Sequence, residues 1–147
     1  MAIVAHARRD APNECCGLLI GQVGTAQADP HVLESGPHVL EAVPASNAAS
    51  DPTRRYEISP VDYFAQIKRC RRISDAQSGN FEVLGAYHSH PRGGPDPSET
   101  DTAQAFRDFV FVIVGLAGAA GGMEIRAYRF EDERLNPVEL IVVDAQA

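Results

Sequence analysis

Residues 109–116 read FVFVIVGL, an uncharged run rich in β-branched residues. A strand apolar on both sides has no face to offer water, so it belongs in the middle of a sheet covered above and below. The rest of the chain supplies the cover and the neighbouring strands. Residues 2–9 read as a short helix, and CGLLIGQ at 16–22 as a buried strand bounded by glycines. Two further strands are expected at 31–35 and 38–43, joined at Gly36-Pro37 as a hairpin. PASNAASDPTRR then reads as an exposed loop. In ISPVDYFAQIKRCRRI, Ser59 suits a helix cap, Pro60 the first helical position and Asp62 the positive end of the helix. Tyr63, Phe64, Ile67, Cys70 and Ile73 follow at helical spacing, which makes Cys70 a small buried hydrophobe. Strands at 81–88, 123–130 and 138–143 complete the set, with Asn136-Pro137 as the break between the last two. There is no internal repeat. The expectation is an α/β fold: one domain over residues 1–147, a central mixed β-sheet flanked by helices.

Composition narrows the function. A chain of 147 residues buries about 68% of its unfolded surface and needs neither disulfide nor structural metal to hold a core. The net charge of −7 argues against nucleic acid, and the one basic cluster, KRCRR at 68–72, reads as a solvated helix face. Cys15, Cys16 and Cys70 form no C-x-x-C pair and make an odd count, which fits a reducing cytoplasm. The N-terminus lacks the pattern of a signal peptide. The uncharged run 109–123 is broken by glycines and falls short of the roughly 20 residues that span a bilayer.

The chemistry concentrates in YHSHPRGGPDPSETD, residues 87–101. Residues two apart on a strand share a face, so His88 and His90 aim both imidazoles at one point and Ser89 turns away. Catalytic zinc takes three protein ligands and leaves a position open. Asp101, reached through a Gly/Pro loop at the start of a helix, is the natural third. Ser98 with Asp101 is also a helix-capping pattern, which does not conflict with ligation by the carboxylate. A hydrolase needs a general base as well. Asp96 and Glu99 are near in sequence, but Glu14 at the entrance of a buried strand is better placed to overhang the sheet's rim.

Taken together, P-x-E-x-C-G-L-L-x-G, then H-S-H-P, then S-x-x-D with seven residues between His90 and Ser98, resembles the JAMM (MPN-plus) zinc metalloprotease family. The resemblance runs from the first helix through Asp101. It implies that Glu14 is general base, that His88, His90 and Asp101 hold one zinc ion, and that Ser98 helps to hold the tetrahedral intermediate. It implies a JAB/MPN-like fold and hydrolysis of an amide bond at the C-terminal glycine of a ubiquitin-like or sulfur-carrier protein. Either an attached amino acid such as cysteine is released, or a modifier is removed from a lysine. The family's leading segment is short or absent here and the loops at 44–55 and 115–122 are slight, which looks like a small prokaryotic member.

Other readings compete. Cys15 or Cys16 with His88 would make a thiol hydrolase, but leaves His90 and Asp101 unexplained. GLAGAAGG at 115–122 is not a dinucleotide fingerprint and reads as a turn. A non-catalytic module that binds ubiquitin-like proteins would more naturally lack a ligand or the base, and neither is missing.

Overall fold

A computed structural model describes residues 1–23, 36–77 and 79–143. The elements are α1 (Ala2–Asp10), β1 (Cys16–Val23), β2 (Pro37–Ala45), α2 (Pro60–Gln77), β3 (Phe81–His90), α3 (Glu99–Gln104), β4 (Val110–Gly115), β5 (Glu124–Glu131) and β6 (Arg134–Val138). The strands form one six-stranded sheet in the order β2-β1-β3-β4-β5-β6. Only β3 and β4 run parallel; every other pair is antiparallel. Parallel neighbours need a crossover of a dozen or more residues, and here the connection is the 91–109 segment with α3 inside it.

The apolar run FVFVIVGL takes the place its composition demands. All six residues of β4 are buried in the interior of the sheet. Their side chains alternate between two cores. On one face Val110, Val112 and Val114 meet Ile3 and Ala7 of α1 with Cys15, Leu19 and Tyr87. On the other, Phe111 and Ile113 pack with Ala86 and Tyr128, while Leu18 and Ile20 meet Cys70 of α2. Each fully buried Val, Ile or Phe stabilises the fold by about 1.5–3 kcal/mol.

Three expectations need correction. Pro37, expected in a turn, already lies in β2, which pairs with β1 from Val23 to Cys16. The strand expected at 31–35 lies outside the described residues. Phe64 is 60% exposed, because Tyr63 and Cys70 face the sheet and Phe64 sits a step round the helix, lining an apolar groove. The last strand runs Arg134–Val138 and contains Asn136 and Pro137 rather than starting after them. The break falls instead at Asp132 and Glu133, with φ 51° and 59°, the paired left-handed conformation of a tight hairpin. Pro137 is tolerated because β6 is a sheet edge.

Candidate active site

The site stands at the carboxyl end of the parallel pair, where β3 gives way to the crossover. His88 and His90 end β3 and point to the α2/α3 face; their Nε2 atoms lie 3.1 Å apart. Asp101 reaches both, with Oδ1 3.1 Å from His88 Nε2 and Oδ2 3.1 Å from His90 Nε2. Asp101 is the third residue of α3. Ser98, the N-cap, accepts the Asp101 backbone N–H at 3.0 Å, while Asp101 Oδ2 accepts the Ser98 N–H at 2.7 Å. The capping box therefore fixes the carboxylate and starts the helix in one move.

Glu14 arrives by register. Cys16 lies opposite His88 across the antiparallel β1–β3 pair, so the residue two earlier stands level with His90 and on the same face. Ser89, completely buried on the opposite face, locks this level: its Oγ accepts the Cys15 N–H at 2.9 Å and its own N–H donates to Cys15 O at 3.1 Å. The 46–57 segment holds Glu14 from outside. Glu14 N–H donates to Pro52 O at 2.7 Å, and Asn47 Nδ2 donates to Glu14 O at 2.9 Å.

His88, His90 and Asp101 form a group able to hold a metal ion. The His90 Nδ1–H donates to Gly94 O at 2.9 Å, which orients the ring and turns Nε2 towards Asp101. Metal bonds of 2.0–2.1 Å arranged tetrahedrally give ligand separations of about 3.3 Å, close to the 3.1 Å between the two Nε2 atoms and between each Nε2 and its nearer Asp101 oxygen. The residues fit such an ion: one carboxylate and two imidazole nitrogens converge on one place, the donor set a divalent cation takes.

The electrostatics agree. Burial would raise the Asp101 carboxyl, but hydrogen bonds from both histidines outweigh it and hold the group well below the usual carboxylate range. Burial pushes His88 down towards the neutral imidazole. Glu14 is buried, its Oε2 has no hydrogen-bond partner among the described residues, and desolvation lifts its carboxyl to about 7 against the pull of His90. A carboxyl near neutrality beside a ligand cluster can both take and return a proton.

The thiol reading fails on the same grounds. Cys15 and Cys16 are buried, and desolvation raises both thiols, Cys16 to about 12. A nucleophilic cysteine needs the opposite shift.

The turn after His90 is tied to the end of β4. Leu116 N–H donates to His90 O, Ala117 N–H to Gly93 O, and Tyr128 Oη donates to Pro95 O at 2.7 Å. Gly115 allows this contact, because an added Cβ would overlap the Gly94 backbone. We expect Gly115→Ala to push the turn outward and loosen the Gly94–His90 bond. Thermal denaturation should show a loss of about 2–4 kcal/mol, and metal titration an affinity about 10–100-fold weaker.

Sequence reasoning overlooked Ser89 as more than a spacer, and Asn47, Tyr56 and Gly115 altogether. Asn47 bonds through both ends of its amide, to Glu14 O and Arg55 O and from Ala49 and Glu57 N–H. Its partners are up to 33 residues away, so no local pattern announces it. Ser89 carried a usable signal: a serine inside an apolar strand needs a buried partner.

A mixed-sheet α/β domain that gathers His88, His90 and Asp101 at the carboxyl end of its parallel pair has the arrangement of a candidate metal-dependent hydrolase. The chain belongs to the prokaryotic homologs of the JAB domain, whose sequence profile matches residues 1–131. It is 30% identical over 143 residues to the CysO-cysteine peptidase of Mycobacterium tuberculosis, an alignment covering 97% of this chain and 86% of the relative. It is 31% identical over 117 residues to the Desampylase of Haloferax volcanii, covering 76% and 72%. The solution structure of a Desulfitobacterium hafniense protein, 24% identical, superposes with a TM-score of 0.78 over 98% of this chain and 88% of that one.

Proposed function

We propose that this chain is a zinc-dependent peptidase or isopeptidase that hydrolyses an amide bond at the C-terminal glycine of a ubiquitin-like or sulfur-carrier protein. His88, His90 and Asp101 hold the single zinc ion, Glu14 is the general base, and Ser98 donates to the oxyanion. One observation carries the reading: three potential ligand atoms converge within 4.8 Å of one another, beside a buried carboxylate whose Oε2 has no partner among the described residues. Zinc held there supplies an electrophile that polarises the scissile carbonyl and lowers the pKa of water to about 7.

The protein's own groups do the rest. Glu14 Oε2 takes a proton from the attacking water and returns it to the leaving amine. Ser98 Oγ already accepts the Asp101 N–H, so its hydroxyl proton is free to be donated to the oxygen that gains charge. Gly94 O keeps His90 in one tautomer.

The relatives' names supply the substrate class: one acts as a peptidase on CysO-cysteine, the other is a desampylase. Release of an amino acid and removal of a modifier are the same hydrolysis with different leaving amines, and one site serves either. A carrier's extended tail offers main-chain hydrogen bonds regardless of side chain, and its glycines let the backbone approach the site closely. The work belongs in the cytoplasm, where Cys15, Cys16 and Cys70 stay reduced as the free thiols they are here. No helix among the described residues is long and apolar enough to cross a membrane.

The test pairs metal analysis with product mass. Purified protein should contain zinc and cleave a carrier–cysteine adduct or a lysine-linked conjugate. A chelator should abolish cleavage and added zinc restore it. Cleavage that survives the chelator and stops on thiol alkylation would overturn the reading.

A further inference from the structure

The two histidines are steadied by different means. His90 donates Nδ1–H to Gly94 O. His88 is more deeply buried, at 1% exposure, and its Nδ1 has no hydrogen-bond partner among the described residues. A ligating imidazole ordinarily gives its far nitrogen to a carboxylate, carbonyl or water, which fixes ring and tautomer. His88 instead lies flat against the Tyr56 ring, with centroids 4.2 Å apart and planes 19° from parallel.

We propose that Tyr56 is the positioning residue for His88, holding the imidazole by ring stacking where a hydrogen bond is missing, and thereby setting the metal affinity of the site. The inference rests on the reading of His88 as a metal ligand.

Tyr56 is built to be immobile. Asn47 grips both sides of it, donating through Nδ2 to Arg55 O at 3.1 Å and accepting the Glu57 N–H at Oδ1, also at 3.1 Å. Ala48 N–H adds a bond to Glu57 O at 2.7 Å. The phenol ring is buried. An aromatic pair of this kind contributes about 0.5–1.5 kcal/mol beyond the area it buries. Asp101 holds one edge of the His88 ring through Nε2, and the tilt of the ring about that contact is left to whatever packs on its face. Tyr56 is the flat surface present.

The test is the zinc affinity of the full chain, measured by competition with a chromophoric chelator, with thermal denaturation of the zinc-free forms as a control. Tyr56→Leu keeps apolar volume but removes the ring, and should weaken zinc binding about 3–12-fold. Tyr56→Phe keeps the ring and should stay within about threefold of the unaltered protein. Zinc binding unchanged in Tyr56→Leu, even with a lowered melting temperature, would overturn the proposal, as would a loss in Tyr56→Phe equal to that in Tyr56→Leu. Should the Leu variant fail to fold, the zinc-loaded unaltered protein decides by NMR. Stacking places the His88 ring-carbon protons clearly upfield of those of His90, and coincident positions would sink the idea. Unaltered protein that takes up no zinc would overturn the metal-site reading first, and is thereby distinguished from failure of the stacking role alone.

Discussion

Glu14→Gln should abolish cleavage, by about 10²–10⁴-fold, while leaving zinc content and fold intact. The amide keeps the shape of the carboxyl and accepts no proton. The same substitution should make the zinc-free protein more stable at alkaline pH, and the sign follows from linkage. The folded Glu14 carboxyl sits at about 7 against an ordinary value of 4.5, because burial disfavours its charge. Between those values the folded state binds more proton than the unfolded one, so Glu14 withdraws stability as pH rises through that window, and the full penalty is felt above it. Gln has no such penalty. Denaturant melts of the zinc-free forms should therefore favour Glu14→Gln by about 1–3 kcal/mol at pH 8, with the gap closing below pH 4.5. Equal stability at pH 8, or cleavage at the unaltered rate, would remove Glu14 from the role of base.

Asp101→Ala should do damage of a different kind. One carboxylate faces two imidazoles and accepts the Ser98 N–H, so its removal takes away the proposed third ligand and half of the capping box together. Zinc retention on gel filtration should fall from one ion per chain to background, and cleavage with it. The lost cap should lower stability by a further ~1 kcal/mol, seen in the zinc-free protein. Asp101→Asn separates the two effects, since an amide oxygen can still cap but ligates poorly. A zinc-loaded, active Asp101→Ala protein would refute ligation by this residue.

Much of this geometry was legible because it follows short-range rules. The period of two on a strand puts His88 beside His90, and a capping box puts the third helical residue back over the N-cap. Residues 109–116 announced a central strand by leaving no polar side. What the sequence hid was either long-range or chemically unmarked. Asn47 and Tyr56 act on partners that only the folded chain brings near. The β5–β6 turn uses Asp132-Glu133 at positive φ, where Asn-Gly would have been the visible signal, and Asn136-Pro137 drew the boundary to the wrong place. Phe64 fitted the apolar spacing of α2 yet faces the groove, because a stripe only about as wide as Tyr63, Cys70 and their neighbours reaches the sheet.

The irregularity in the β1–β3 ladder between Leu19 and Ile20 has a consequence for how such chains change over time. Side chains on a strand alternate, so one inserted residue normally turns every later one inside out. A bulge absorbs that offset locally. Here it divides the ladder, with the half from Cys16 to Leu19 beside the histidines and the half beyond Ile20 running to the opposite rim. It serves as an expansion joint: insertions near that distant rim can come and go without turning the imidazoles into the wrong core.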